Sequence, residues 1–551
     1  GRHIETHLST YFSPNTHLTG EALGLFYLGL SFPELRRAAM WKETGLAVLL
    51  DQMSRQVRTD GVYFEQSSYY HRYSVDFYLS LLQLARENQI ELPADVKRCL
   101  EAMVEYLMWT TRPDGLATLI GDDDGGKLLA LGGSDTDDFR DSIAWAAALF
   151  GRPSWKYAAG DRNPELLWLL GPDGLKMFDD LPAAKPDQYQ RSFSATGQFV
   201  ARDGWESDST YLFFRCGPRG ALSGAHDHAD QLSFELCANG TAWLVDPGTY
   251  TYTSDDATRN EFRLTQAHNT LTVDDISQSV PLGPFSWSAR AYGLPDTPVS
   301  NHRFVCVGGS HDGYEGNLYS VGHRRTVITL ARDERTDPVT PAYFLVIDYL
   351  ESDSEHAYAL RYHFGTEIAV SAEDHGFIAR DTRWNLLHIG QFGTPDLRIA
   401  TSKGHVSRHY SRRNDATVGV VTGTGSGPHR LSSAVVPISS RYRQQVAMSR
   451  YTAVGGDGVS VQCGDVQDVF IFGECEICAD HLSVRSSARV TWVRRLGRSI
   501  LTAAVVDGRS LVVDGYFGVS STVEPKYIVA DVDDRRVSIS TDEPGSIELS
   551  V

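Results

Sequence analysis

The side chains of this chain best suited to chemistry fall into three blocks between positions 224 and 270. The first, Gly224-Ala225-His226-Asp227-His228-Ala229-Asp230, sets two imidazoles two residues apart. Directly after it, Leu232, Phe234 and Leu236 alternate with Gln231, Ser233 and Glu235. Residues i and i+2 share a face of a strand, so a strand that starts early enough points His226 and His228 the same way. The second block, Trp243-Leu244-Val245-Asp246-Pro247-Gly248, ends a short apolar strand on a carboxylate. The third runs from Arg259 through Arg263 to His268 and adds an imidazole and two guanidiniums. Two histidines and one carboxylate form a three-ligand set that suits zinc. A histidine at a strand end is more often a hydrogen-bonded structural residue. What argues for a site is that ligand-type side chains recur at successive strand ends.

Two further stretches lie nearer the start. Ser13-Pro14-Asn15-Thr16-His17-Leu18-Thr19 precedes an apolar helical pattern, and Glu65-Gln66-Ser67-Ser68-Tyr69-Tyr70-His71 follows another. Each has a structural reading. Thr19 can cap a helix and Asn15 can sit in a turn. Tyr69, Tyr70 and Tyr73 can be half-buried aromatics. The acidic run Gly121-Asp122-Asp123-Asp124-Gly125-Gly126 reads either as a solvated turn or as a cation-binding or substrate-rim loop.

The elements that must position these residues divide into two kinds. Residues 1–180 read as helical, with apolar residues at helical spacing over Glu21–Leu30, Tyr73–Leu84, Val96–Met108, Asp137–Phe150 and Pro164–Leu170. Another helix opens at Pro33-Glu34, with Leu46, Leu49, Leu50, Met53 and Val57 as its stripe. Helices joined by Gly/Pro/Asp turns predict stacked antiparallel hairpins. Gly171-Pro172-Asp173-Gly174 and residues 181–187 read as a linker. From 190 to 551 the period falls to two, with strands expected at Ser209–Cys216, Asp230–Cys237, Thr270–Val273, Thr326–Leu330, Ala342–Tyr349, Val459–Cys463, Val469–Gly473 and Ser510–Val513. Many short strands predict an antiparallel β-sandwich, with a further split open near residue 430.

The 551 residues hold two or three domains' worth of core. A hydrophobic content of 42% and a charged content of 22% are those of an ordinary globular chain. No apolar run is long enough to span a bilayer, and no secretory signal opens the sequence. A net charge of −19 argues against a nucleic-acid partner. An anionic polysaccharide partner would need a local positive site. Seven cysteines, odd in number, imply no disulfide framework, and Cys475-x-x-Cys478 reads as strand residues.

The stretches HDHADQLSFEL, WLVDPGTYTYT and RNEFRLTQAHNTLTVDD, in that order, resemble the metal-bearing sheet of the heparinase II/III-type polysaccharide lyases. An Asn close to a His at 15–17, and the pattern E-x-S-x-x-Y-H at 65–71, resemble that family's signatures in its helical part. The resemblance implies an (α/α) toroid-type domain followed by an antiparallel β-sandwich. The chain begins almost on the first signature, so an incomplete toroid is expected, or one completed by a further helical segment or a homo-oligomeric partner. The resemblance also implies roles. Asn15 would bind the uronate carboxylate, with His17 its rival because Thr16 separates the pair. Tyr70 would be the proton-transferring phenol and His71 its supporting neighbour. His226 would be a second base or charge neutraliser. His228, Asp246 and His268 would hold a divalent metal, most simply Zn2+, in a structural and positioning role. Glu65, Gln66 and Tyr252 would line the substrate, and Arg259 and Arg263 would face its acid group. Export to the periplasm or beyond is the family's habit.

A uronate lyase removes the proton alpha to a carboxylate and expels the 4-linked sugar by β-elimination. It must neutralise the carboxylate and stabilise enolate-like charge in a site shielded from water. A tyrosine, with an ordinary pKa near ~10, serves as base only if nearby positive groups favour its phenolate. It is well matched to protonate the leaving oxygen. Alginate, heparan-type glycans, hyaluronan and acidic exopolysaccharides are all open as substrates, with unsulfated chains preferred for so acidic a body. The alternatives are a glycoside hydrolase, using Glu65 with Asp123 or Asp124, and a non-catalytic carbohydrate-binding protein.

Overall fold

The computed structural model describes residues 1–131, 135–160, 165–316, 320–393, 397–442, 444–453, 456–479, 482–513, 515–533 and 536–550. Helices come first, at Arg2–Thr6, Thr16–Ser31, Ala38–Gln56, Ser68–Glu87, Ala94–Trp109, Arg140–Phe150, Pro153–Ala159 and Glu165–Asp180. Thr16–Ser31 and Ala38–Gln56 form a close hairpin. A Cβ on Gly45 would stand 2.5 Å from the Ala22 carbonyl oxygen, so only glycine permits the approach. Pro33-Glu34 does not open the second helix; residues 33–37 form turns and the helix starts at Ala38. The expected linker at 171–174 is instead a kink. Gly171 (φ 67°, ψ −173°) breaks the helix, and Pro172, which lacks an N–H to leave unpaired, restarts it through to Asp180. Pro164, the expected start of this helix, lies outside the described residues. Helix Ser68–Glu87 is central, with Val75, Tyr78, Leu79 and Leu81 in the helical core.

Strands begin at Gln190–Phe193 and continue through Gln198–Arg202, Tyr211–Arg215, Phe234–Ala238 and Thr241–Leu244 as a five-stranded antiparallel meander. Every residue of Phe234–Ala238 is buried. Its alternation does not separate core from solvent. It separates two cores: Cys237 joins the helical core with Tyr211 and Phe213, whereas Phe234 and Leu236 face the sheets behind. Behind lies a nine-stranded sheet. Its central strand Tyr343–Glu351 likewise sends Phe344 and Val346 to one core and Leu345 and Ile347 to another. That outer core is shared with a ten-stranded sheet that starts at Val446–Ala453, through Val459, Phe470 and Trp492. Residue 430, near which the sequence leaves a split open, lies inside the nine-stranded sheet, because His429–Ile438 pairs with Tyr343–Glu351 and Leu386–Phe392. Cys475 and Cys478 lie on strand Cys475–Ala479. Among the described residues no helix is long and apolar enough to cross a membrane.

Candidate active site and metal centre

The strand expected from Asp230 begins only at Phe234, because Leu232 takes a left-handed φ of 64° and interrupts the extended run. His226 and His228 therefore sit in a loop. They do not meet as strand neighbours; they meet on a carboxylate from the other half of the chain. Asp122 is fully buried. Its Oδ2 lies 3.1 Å from His226 Nδ1, and its Oδ1 lies 3.1 Å from His228 Nε2. Both arms of Arg259 donate to it, at 2.6 and 2.7 Å, and Thr249 Oγ1 adds a weaker bond at 3.3 Å. Burial opposes the charge on Asp122, yet Arg259 and the two histidines hold its carboxyl well below the usual carboxylate range. Backbone contact brings the loops together. The Asp122 N–H donates to the His226 carbonyl at 3.0 Å, and Gly121 (φ 62°) could carry no Cβ there, since it would stand 2.5 Å from that oxygen.

Ser67 joins this loop to the catalytic candidate on the central helix. Its hydroxyl donates to the Asp122 carbonyl at 2.6 Å and caps the helix by accepting the Tyr70 N–H. Tyr70, in the first turn, stacks on His226 with ring centroids 3.9 Å apart and planes 20° from parallel. Its hydroxyl lies 3.2 Å from that of Tyr252. The Tyr410 hydroxyl accepts the Tyr252 N–H at 2.9 Å, and Phe285 packs edge-on against Tyr252 and His226. Asn15 caps helix Thr16–Ser31 through Oδ1, while its Nδ2 donates to Glu65 Oε1 at 2.7 Å. That same Glu65 oxygen is 3.7 Å from His226 Nε2. Asn15, Glu65, Tyr70, His226 and Tyr252 thus form one cluster. Burial and the negative charge of Asp124 raise Tyr70 far above the usual phenol range. Burial lowers the affinity of His226 for a proton, but Asp122 more than offsets it and the net shift is upward.

The ligand atoms of His228, Asp246 and His268 all lie within 4.8 Å of one another. Each imidazole has one nitrogen engaged, His228 Nε2 by Asp122 and His268 Nδ1 by Asp246 Oδ2 at 2.9 Å. The other two nitrogens, His228 Nδ1 and His268 Nε2, are buried and without any hydrogen-bond partner among the described residues. Buried polar atoms are rarely left so. Burial also lowers the pKa of His228, which favours the neutral imidazole that metals require. Two free imidazole nitrogens beside a carboxylate, with the His228 ring fixed from outside the triad by Asp122, fit a divalent ion such as zinc.

Other expected residues do not reach the cleft as expected. Arg259 is spent on Asp122 and on the Pro284 carbonyl. Arg263 donates to the carbonyls of Gly283 and Pro284 and to Asn260 Oδ1, so its role is to hold a loop. Both leave helix Asp256–Arg263 on buried faces because main-chain oxygens and Asp122 satisfy them there. His71 is fully buried: Nδ1 accepts the Tyr63 N–H at 3.1 Å and Nε2 contacts the Met103 carbonyl at 2.9 Å. It anchors the helix that carries Tyr70 and does not touch the cleft. His17 is exposed, whereas its rival Asn15 is buried against Glu65. Gln66, in a left-handed conformation, donates to the Pro218 carbonyl at 3.0 Å. The residue without an assigned role is Asp122. The acidic run drew attention to it, but nothing in its spacing distinguishes Asp122 from Asp123 and Asp124. Asp123 is also buried, which pushes its carboxyl up to about 8; Asp124 is exposed and accepts from Tyr73.

Residues 2–127 match the family model described as Heparinase II/III N-terminus, and residues 185–448 match Heparinase II/III-like, C-terminal. A heparin-sulfate lyase of Bacteroides stercoris is 24% identical over 416 residues, covering 74% of this chain and 54% of the relative. A heparin-sulfate lyase of Pedobacter heparinus is 27% identical over 279 residues, covering 49% of this chain and 38% of the relative. The chain thus spans about half the length of the first of these relatives, and less of the second. A solved heparinase III superposes with a TM-score of 0.65 at 22% identity, over 84% of this chain and 66% of that one. The heparan sulfate lyase structure from Pedobacter heparinus gives 0.64 at 20% identity, over 85% and 67%. These structures share the fold. With one model matching the helical part and another the first sheets, this chain belongs to the heparinase II/III family.

Proposed function

We propose that this chain is a polysaccharide lyase that cleaves a uronic-acid-containing glycan by β-elimination. The observation that carries the reading is the stacked Tyr70–His226 pair, joined on one side to Tyr252 and on the other, through Glu65, to Asn15. Asp122 takes the Nδ1–H of His226, which leaves the Nε2 lone pair to accept the proton alpha to the uronate carboxylate. Electrons of that C–H bond form the C4–C5 double bond as the C4–O bond breaks. Tyr70, held as the neutral phenol by burial and by Asp124, donates its proton to the departing oxygen. This differs from the expectation that positive groups would favour its phenolate: the guanidinium of Arg259 is paired with Asp122. Asn15, whose amide donates to Glu65, would turn that amide to the substrate carboxylate. Tyr252 orients the Tyr70 hydroxyl.

His228, Asp246 and His268 would hold the divalent ion, and when bound it would supply fixed positive charge that orders their loops. The names of the relatives, heparin-sulfate lyase, support an anionic glycosaminoglycan as substrate. A periplasmic or secreted location is compatible with such bacterial relatives. Both carboxylate oxygens of Glu65 are engaged, by Asn15 and Thr16, which gives no support to Glu65 as a hydrolase's acid.

The test is ultraviolet absorbance of the unsaturated uronate across heparan-type, hyaluronan, alginate and exopolysaccharide substrates. Absorbance should rise for wild type on at least one polymer. It should fall at least ~10²-fold in Tyr70→Phe and His226→Ala, the scale of a lost general acid or base. Reducing ends without absorbance would reject elimination.

A further inference from the structure

Beneath the metal triad lies a buried chain of polar groups that the reaction does not use. Arg325 and Asp348 are fully buried on neighbouring strands, Gly322–Leu330 and Tyr343–Glu351, directly opposite one another. Arg325 Nε and Nη2 donate to the two oxygens of Asp348 at 2.8 and 3.0 Å. Its remaining arm, Nη1, leaves the strand and donates to two main-chain carbonyls, Leu232 and Asn269, each at 2.7 Å. Leu232 is the left-handed residue that ends the loop carrying His226 and His228. Asn269 follows His268. One guanidinium arm therefore ties two ligand-bearing segments together.

The side chain of Asn269 ties in the third. Its Nδ2 donates to the carbonyls of Phe234 at 2.8 Å and of Val245, the residue before Asp246, at 3.1 Å. Its Oδ1 accepts the His363 N–H at 2.7 Å. Every donor and acceptor of this amide that faces the strands is used.

The far end of the chain is oriented as well. His311 Nδ1 accepts the Gly313 N–H at 3.0 Å, so its proton is on Nε2, which lies 3.1 Å from His323 Nδ1. The proton of His323 is then on Nε2, donating to Asp348 Oδ1 at 2.7 Å. Burial lowers the pKa of both imidazoles and keeps them neutral. Asp348 is thus held in place by three N–H donors, two from Arg325 and one from His323, and Arg325 is held in turn by Asp348. These contacts grip the main chain beside the ligands and not the rings themselves; outer contacts that orient ligands cost about 10–100-fold in metal affinity when lost.

We infer that Arg325 and Asn269 are positioning residues for the metal triad, holding the segments of His228, Asp246 and His268 at ligating distance. The inference rests on the proposed metal reading. The test is zinc affinity measured by competition with a chromophoric chelator, with the visible spectrum of the cobalt-loaded protein as a second readout. Arg325→Lys keeps the charge beside Asp348 but cannot reach both carbonyls. It should weaken zinc binding at least ~10-fold and shift the cobalt bands. Arg494→Lys is the control, a buried arginine fork on Asp468 in the outer core, away from the ligand loops. It should lower the melting temperature and leave zinc affinity unchanged. Where Arg325→Lys does not fold, Asn269→Ala is read in the same way. Unchanged affinity and spectrum in the folded variant overturn the inference alone. A wild-type chain that takes up no zinc overturns the metal reading and the inference with it. An equal loss of affinity in Arg494→Lys shows a general loss of stability and also overturns the inference.

Discussion

Asp122 and Asp468 are both buried carboxylates gripped by two arms of an arginine. Asp468 receives Arg494 at 2.9 and 2.9 Å, the Tyr343 hydroxyl at 2.6 Å and the Trp492 indole N–H at 2.8 Å. Asp122 receives Arg259 at 2.6 and 2.7 Å and two imidazoles at 3.1 Å. The two cost the fold the same kind of desolvation, which only good geometry offsets. They differ in their other partners. Tyr343 and Trp492 stay protonated at any physiological pH and end their chains in the core. The histidines on Asp122 each keep a second nitrogen, one toward Glu65 and the Tyr70 cluster, the other toward Asp246 and His268. A buried ion pair by itself therefore marks no site; the unfinished valence of what hangs on it does.

The comparison breaks most sharply in the pair Asp122→Asn and Asp468→Asn. Asp122→Asn should lose about 3–5 kcal/mol in chemical denaturation, the cost of leaving Arg259 buried without a carboxylate, and Asp468→Asn should lose less, because Arg494 Nη1 still donates to Asp333 at 3.1 Å. Only Asp122→Asn should also lose kcat, by up to ~10⁴-fold, because the tautomer of His226 is no longer set. Equal activity in the two folded variants would dissolve the distinction. Next in size is Asn15→Ala, with an expected loss of ~10²–10³-fold in kcat/KM from a missing carboxylate donor. His17→Ala, exposed on the same helix, should stay within about 0.5 kcal/mol by the same assay.

Chelation asks whether the histidine side of Asp122 has a binding partner. Dialysis against dipicolinate should lower the melting temperature, and zinc at ~100-fold its Kd should restore about 2.7 kcal/mol. No thermal shift on zinc addition would leave His228 and His268 as structural rings. A pH series tests a third buried pair. Arg112 stands 3.6 Å from Glu235, too far to hydrogen-bond, and both Glu235 oxygens are unpartnered among the described residues. Burial therefore outweighs Arg112 and raises Glu235 from 4.5 to about 8. A raised carboxyl contributes stability that is fully present below pH 4.5 and is lost as pH rises through about 8. Glu235→Gln should flatten this fall in a series of denaturation curves. An unchanged slope between those limits would place the linkage elsewhere.

Much of the candidate site was legible in the residues. Tyr70, His226, Asn15 and the trio His228, Asp246 and His268 fall in motifs whose order alone resembles the family, and the fold brings each into one of two adjoining clusters. The roles of Arg259, Arg263 and His71 were not legible. Their types suit a cleft, but a side chain's direction depends on which acceptors the surrounding fold offers. Main-chain carbonyls at Gly283, Pro284 and Met103 are invisible in sequence. The strand at Phe234 shows the same limit: its alternation is real, but both faces are buried because helices lie before it and sheets behind.

The sequence by itself determined the helix-then-strand order and the chemical kinds of group available, but not the helix caps: Asn15, read as a turn residue, caps helix Thr16–Ser31, and Thr19, read as a cap, lies inside it. The order depends on spacing and local propensity, which act over a few residues. Only the tertiary structure decided that Asp122, and not Asp123 or Asp124, joins the two halves. The choice is made by contacts across more than a hundred residues, where Gly121 lets one loop reach the carbonyl of His226. It also decided which imidazole nitrogens stay free, because that is fixed by the partner of the other nitrogen, and partners exist only once the chain has folded.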